Sequence, residues 1–200
     1  TSLEAYKERA DSEQKAIFYI VGENEKILRS SPLLESYNKN NIEVLILDDK
    51  EIDEMITPTI GAYKDWEFKD ITACEPPKVE QSEEAKKEVE EKFQDITKKI
   101  KDKLGDAVKD VKVTNRLSES PSCVVKDVAD AQMAQMMQMM RAMGQEMPES
   151  APILEINPEH EIVKKLNGCA DESTIEDVSW ILLDQAKLSE GMEITDTVAF

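Results

Sequence analysis

Histidine and cysteine are scarce in this sequence, which excludes the common metal and disulfide frameworks. There is one histidine, His160, and there are three cysteines, Cys74, Cys123 and Cys169. The cysteines are far apart and form no C-x-x-C pair, so a zinc site would lack its ligands. An odd, sparse set of cysteines is typical of a reducing compartment. We therefore expect a soluble, cytoplasmic protein.

Long apolar runs and an excess of positive charge are also missing. No apolar stretch approaches the ~20 residues needed to cross a bilayer. The chain has 43 acidic and 25 basic side chains, a formal net charge of −18. Because affinity for nucleic acids and for anionic membranes comes largely from Lys and Arg, both partners are disfavoured. With 40% apolar residues among 200, the chain can bury a sizeable core.

Signals for enzymatic chemistry are few. The segment GENE at 22–25 follows the first predicted strand, but it has one glycine and two acids that would repel a phosphate. The one catalytic candidate is the pair Asp48 and Asp49, which follows a predicted parallel strand and could hold Mg²⁺. The competing interpretation is that these acids cap the next helix. The alternative function is therefore a small metal-dependent α/β enzyme or phosphoacceptor domain fused to a helical dimerisation module.

The first part of the chain has the pattern of a small α/β domain. Unalternating apolar runs at 16–22 and 42–47 predict two buried strands. About 20 helical residues separate them, which is typical of a βαβ unit with parallel strands. Pro76 and Pro77 break this pattern, and we place the domain boundary there, giving domains 1–75 and 76–200. One further helix carries three apolar residues on one face: Ile52, Met55 and Ile56.

The second part has the pattern of an α+β domain with a small three-stranded sheet. Apolar residues spaced by three or four over 82–104 predict one long amphipathic helix. Alternation at 108–116 and the apolar run at 123–125 predict an antiparallel pair of strands, and 152–156 predicts a third strand. The fold class is thus α+β overall. Further helices are predicted at 126–143, from the cap at 157–158 through Leu166, and at 172–190.

The helix predicted at 172–190 carries more apolar surface than one small core needs. A partner helix would bury the surplus. The apolar residues that such a partner would contact are Ile175, Val178, Trp180, Ile181, Leu182 and Leu188.

Six of the nine methionines fall within 133–143, interleaved with glutamines. At 100° per residue, five of them share one face of a predicted helix. Such a stripe is by default part of a core. The functional interpretation is an adaptable contact surface, since unbranched thioethers repack against many partners, and the glutamine-rich surroundings favour exposure. The five are Met133, Met136, Met137, Met140 and Met143.

Ten short strings occur in one order along nearly the whole chain. They are KAIFYIVG at 15–22, SPLLE at 31–35, EVL at 43–45, IDE at 52–54, VKDVKV at 108–113, RL at 116–117, SP at 120–121, VV at 124–125, LEINPEH at 154–160 and LLDQA at 182–186. In order and spacing they resemble the heat-shock protein 90 chaperones, bacterial HtpG branch. The first four resemble the late middle domain, and the others resemble the C-terminal domain.

The resemblance implies an ATP-driven, homodimeric folding chaperone of the stress response. ATP and Mg²⁺ would bind an N-terminal domain outside this sequence, so the fragment itself would need no cofactor or metal and hydrolyse no ATP. Its partners would be client proteins and a second copy. By the same resemblance, the helix at 133–143 faces the client cleft, assisted by Glu54 and Met55. The segment 172–190 resembles the first of two helices in the family's dimer bundle, which implies that its apolar residues named above form a dimer surface. The second bundle helix would begin near Thr195, so we expect a weakened dimer.

Overall fold

The computed structural model describes residues 2–12, 14–77, 83–127 and 150–194. Within these ranges the chain has a mixed α+β fold with two small sheets, which confirms the predicted fold class at that level. The helix predicted at 126–143, apart from its first two positions, lies outside the described residues. The five client-contact methionines and Thr195 lie outside them as well.

The first sheet has four strands in the order β2, β1, β4, β3. The predicted βαβ unit is confirmed, because β1 and β2 pair in parallel with Phe18 opposite Val44. β1 is a central strand with five buried residues in succession, as expected of an unalternating apolar run. The elements of this part are α1 (Leu3–Arg9), β1 (Ala16–Val21), α2 (Glu25–Arg29), α3 (Leu34–Lys39), β2 (Val44–Leu47), α4 (Lys50–Ile60), β3 (Ala62–Tyr63) and β4 (Trp66–Asp70).

Two strands of this sheet, β3 and β4, escaped the sequence analysis. They form an antiparallel hairpin, and β4 also pairs in parallel with β1. The turn between them consists of Lys64 and Asp65, whose φ angles of 47° and 68° are both left-handed. Such turns usually contain Asn-Gly or Asp-Gly. Without a glycine, this turn gave no recognisable hairpin signal.

The second sheet has the order β5, β7, β6, so the predicted antiparallel pairing of its first two strands is wrong. The last strand lies between them, parallel to β5 and antiparallel to β6. Leu154 and Ile156 of β7 are fully buried, whereas Lys112 of β5 is exposed. The more apolar strand therefore takes the central position, although it comes last in the chain. The strands are β5 (Asp110–Val113), β6 (Ser122–Val125) and β7 (Ile153–Ile156).

In the described part of the chain, three helices accompany the second sheet: α5 (Glu83–Leu104), α6 (Glu161–Asn167) and α7 (Glu172–Ser189), with a short 3₁₀ turn at Gly105–Ala107. Helices α5 and α7 pack against each other, and Phe93, Ile100 and Ile175 meet Leu154 in one apolar cluster. The His160 imidazole accepts a hydrogen bond from the Ile162 N–H at 3.3 Å. His160 is therefore the N-cap of α6, so the cap predicted at 157–158 is wrong by two residues. Among the described residues, no helix combines the length and apolar character needed to cross a bilayer.

A second apolar cluster joins the two parts of the chain. It contains residues of the first sheet and its helices together with residues that follow position 76, so the packing is continuous across the predicted boundary. The boundary itself stays a prediction. The buried members from the first part include Phe18, Leu33, Tyr37 and Ile71, and those from the second part are Leu117, Cys123, Val125 and Ile153.

Candidate functional site

Four apolar side chains on one face of α4 are exposed to solvent. Their exposed fractions range from 45% to 64%. They stand at positions 52, 55, 56 and 60, and this spacing of three or four residues with one adjacent pair places them on one side of the helix. Thr57, on the other side, is buried. An amphipathic helix ordinarily turns its apolar side to the core, and α4 does the reverse. We call this surface the α4 face: Ile52, Met55, Ile56 and Ile60.

The sequence analysis predicted that Glu54 and Met55 help to contact clients, and Met55 belongs to the α4 face. Met55 is its most exposed member, at 64%, and the adjacent Glu54 is partly exposed. Burying a side chain of this kind is worth about 1.5–3 kcal/mol, so four exposed ones forgo a large stabilisation. Contiguous exposed apolar surface usually marks a site of interaction. The spacing of Ile52, Met55 and Ile56 predicted a shared face but not its outward direction.

The Asp48 and Asp49 pair precedes α4 and is exposed. Asp49 occupies the N-cap position, as the capping interpretation predicts, but its side chain makes no capping hydrogen bond. Instead the backbone N–H of Asp49 donates to the Asp53 carboxylate at 3.2 Å. This resembles the hydrogen bond of a capping box in which a side chain of the first turn accepts from the N-cap N–H. Over the described ranges, no cluster of three or more His, Cys, Asp or Glu side chains is suited to a metal ion.

The predicted dimer surface on α7 divides into buried and exposed residues. Ile175 and Leu182 are 0% and 1% exposed and belong to the core cluster, so they cannot contact a second copy without unfolding. This corrects the sequence interpretation, which took the whole apolar stripe as available. The exposed members are Ile181 at 51% and Leu188 at 46%, seven residues apart and so on one side of the helix. Val178 and Trp180 are partly buried against the core.

The carboxylate of Glu35 on α3 joins the first part of the chain to a loop of the second. It accepts hydrogen bonds from the backbone N–H groups of Ser118 at 2.6 Å, Glu119 at 2.9 Å and Ser120 at 3.1 Å. The Ser118 hydroxyl also donates to it, at 3.3 Å. Partial burial alone would raise the pKa of Glu35, but these donors together hold it below its usual value. Successive N–H groups of this kind form an anion-binding nest, here filled by the chain itself.

A buried ion pair lies at the same junction. The Arg116 Nε and the Glu155 Oε2 atoms are 2.7 Å apart, and the two side chains are only 6% and 13% exposed. The Arg116 Nη1 group also donates to the carbonyl of Ile71 at 3.4 Å, which ties the pair to the first part of the chain. Burial, and then the charge of Glu155, raise the pKa of the nearby Cys123 thiol well above its ordinary value. This cysteine is therefore a packing residue rather than a nucleophile.

The residue that follows α7 makes a third contact across the junction. The Ser31 hydroxyl donates to the Glu190 Oε1 atom at 2.6 Å. Burial raises the pKa of Glu190 to about 7, and the neighbouring Asp70 adds to this, while the Ser31 hydrogen bond and the charge of Arg116 oppose it. Near neutral pH this carboxyl group is therefore divided between its charged and neutral forms.

Sequence analysis missed these three junction contacts. A weak signal was available, because Ser31 and Glu35 lie in the SPLLE string, Arg116 in RL and Glu155 in LEINPEH. A string marks positions where this sequence resembles the family, but it does not show which distant residue each side chain contacts.

Exposed apolar helix faces on an acidic α+β scaffold are typical of a module that binds other proteins. The family profile described as Hsp90 protein matches residues 1–200. The chain is 89% identical over 200 residues to the chaperone protein HtpG of Aliarcobacter butzleri, and 58% identical over 199 residues to that of Sulfurovum sp. strain NBC37-1. A third relative, from Treponema denticola, is 48% identical over 204 residues. The chain belongs to the Hsp90 family.

The matches cover 100% of this chain but only 31% or 32% of each of these relatives. The chain thus spans about a third of the length of the curated relatives it matches.

Proposed function

We propose that the chain forms the end of the middle domain and the C-terminal dimerisation domain of a cytoplasmic HtpG-type chaperone. In this role it binds unfolded or partly folded clients and a second copy of itself, while ATP binding and hydrolysis belong to another part of the full protein. The observation that carries the proposal is the outward-facing α4 face. The order of the ten family-like strings and the relatives' description as chaperones support it.

The client surface in this proposal combines the α4 face with the methionine helix predicted at 133–143. Met55 offers an unbranched thioether, which adapts to apolar side chains of different shape. Three isoleucines with exposed fractions of 45–48% extend the same surface. A surface of this kind recognises apolar segments in general rather than one sequence, as a chaperone for many clients requires.

Replacing Met55 and Ile56 by serine is expected to weaken client binding severalfold and to leave folding almost unchanged. Both side chains are about half exposed or more, at 64% and 46%, so their loss leaves no large cavity. Fluorescence anisotropy with a labelled, reduced and carboxymethylated protein measures the affinity. Thermal unfolding followed by circular dichroism measures stability.

The matched control for this experiment is Ile162→Ser on α6. Ile162 is 43% exposed, close to the 46% of Ile56, but it lies on another helix. The control should bind the unfolded protein as the unchanged chain does. Equal affinities for all three chains would refute the assignment of the α4 face to clients.

The dimer in this proposal uses the exposed side of α7. Trp180 contributes its accessible part, and Ile181 and Leu188 contribute most of the apolar surface. One isoleucine and one leucine on each copy bury a small area compared with the ~2,000 Å² or more that obligate dimers bury. We therefore expect a dimer whose population depends on concentration.

The double substitution of Ile181→Asp and Leu188→Asp should shift the monomer–dimer equilibrium toward the monomer. Each substitution places a charge in an apolar interface, and tenfold or more weaker association is expected. Sedimentation equilibrium measures the dissociation constant. Ile52→Asp, at a similar 48% exposure on α4, serves as the control and should dimerise normally. If the α7 variant and the control dimerise equally, a different surface holds the dimer.

A further inference from the structure

Strand β2 lies at the edge of the first sheet. Among the residues that the structure describes, it pairs only with β1, in a sheet whose order is β2, β1, β4, β3. Its four residues, VLIL, are all apolar, and all four are partly exposed. Natural proteins usually protect such an edge with lysine, proline, a bulge or a very short strand, and β2 has none of these within it. The opposite edge strand, β3, has only two residues.

The hydrogen bonds show which backbone groups of β2 point outward. The Leu47 carbonyl accepts from the Gly22 N–H at 3.0 Å, so Leu47 faces β1. Because the two sides of a strand alternate, Leu45 also faces β1, whereas the N–H and C=O groups of Val44 and Ile46 point away from the sheet. These two residues present the backbone ladder that an added strand would need.

The C-terminal end of this edge is acidic. Asp48 and Asp49 follow the strand directly and are exposed. Glu43, which precedes the strand, is paired with Arg9 at 2.7 Å, and Glu23 is paired with Lys50 at 3.4 Å. An added segment with lysine or arginine among its apolar residues would therefore find opposite charge where the strand ends, at Asp48 and Asp49. Its backbone must also be extended and unpaired, which is a property of unfolded chains.

We propose that the outer edge of β2 binds an extended, apolar and basic segment of an unfolded polypeptide by β-strand addition. The inference rests on the proposed client-binding function and adds the backbone as a means of recognition. Main-chain hydrogen bonds to Val44 and Ile46 provide affinity that is independent of sequence, while the partly exposed side chains of VLIL favour apolar residues. The acidic end at Asp48 and Asp49 adds a preference for basic clients.

Amide hydrogen exchange measured by NMR tests this pairing directly. The probe is a nine-residue peptide of alternating lysine and valine, added at saturation to the 200-residue chain. Exchange at the Val44 and Ile46 amides should slow at least tenfold, while the Leu45 and Leu47 amides, already facing β1, should change little. A peptide of alternating glutamate and valine should bind at least fivefold more weakly.

A pair of variants separates the backbone from the side chain. Proline is tolerated in an edge strand where the N–H would face solvent, so Val44→Pro removes an outward donor at a position that accepts it. Val44→Ala keeps the donor and also shortens the side chain. Val44→Pro should lower peptide affinity at least fivefold relative to Val44→Ala. The exchange measurement on the unchanged chain decides the question if the proline variant does not fold.

Two failures can be distinguished. If the lysine-valine peptide binds but the Val44 and Ile46 amides exchange as before, the edge pairing is wrong and the proposed client function stands. If neither this peptide nor the reduced, carboxymethylated protein binds at all, both proposals are overturned. Equal binding of the acidic and basic peptides would refute the proposed preference for basic segments.

Discussion

Replacing Arg116 by alanine is expected to lower the free energy of unfolding by about 3–5 kcal/mol. The substitution leaves the Glu155 carboxylate, only 13% exposed, without its partner at 2.7 Å. A buried charge that loses its counterion costs far more than the net gain of the pair. It also removes the hydrogen bond to the Ile71 carbonyl, so the junction between the two sheets should loosen. Urea unfolding followed by tryptophan fluorescence measures the effect.

A double variant distinguishes charge from packing at this site. Arg116→Met with Glu155→Leu removes both charges and keeps most of the apolar volume, so it should recover much of the lost stability. Lys112→Ala provides a surface control. Its ion pair with Asp110 is about half exposed on both sides, at 55% and 51%, and its loss should change stability by less than about 1 kcal/mol. A change below 1 kcal/mol for Arg116→Ala itself would contradict the prediction.

Glu190→Gln is expected to stabilise the chain at pH 8 by about 2–3 kcal/mol. Burial raises the pKa of Glu190 to about 7 from the ordinary value of 4.5, so the folded state holds a proton that the unfolded state has released. The stability contributed by this group is fully present below about pH 4.5. It is lost as the pH rises toward 7 and stays lost above that. The glutamine side chain is neutral throughout and retains a hydrogen-bonding partner for Ser31.

The measurement is urea unfolding of both chains at several pH values from 4.5 to 8. The difference in unfolding free energy between the variant and the unchanged chain should be small at pH 4.5 and grow up to pH 7. Other carboxyl groups, including Glu35 with its lowered pKa, act in the opposite direction, but they cancel in this difference. Glu193→Gln, at an exposed position nearby, is the matched control. A difference that does not vary with pH would show that folding does not raise the pKa of Glu190, and would contradict the prediction.

Local pattern was sufficient for much of the fold. The run AIFYIV predicted a buried parallel strand because a strand covered on both faces needs no polar residue. The apolar spacing over 82–104 likewise predicted α5, which the structure places at Glu83–Leu104. In both cases the information lies within one element, where the period of side chains decides the structure.

Features that depend on distant partners could not be predicted in this way. The pairing of β7 between β5 and β6 depends on which strand is most buried in the assembled sheet, which no single segment shows. The same holds for α7, whose stripe looked uniform in sequence. Helix α5 and the second sheet bury Ile175 and Leu182, while Ile181 and Leu188 remain exposed. The outward direction of the α4 face is equally a tertiary property.

The apolar cluster shared by the two sheets has a mechanical consequence. The first sheet packs in one cluster with four residues of the second part: Leu117, Cys123, Val125 and Ile153. Glu35 of the first part also binds the backbone of the loop at 118–120. Rotating one sheet against the other would break the apolar contacts of this cluster. We therefore expect the two sheets to move together as one body, with the α4 face and the exposed side of α7 at a fixed separation.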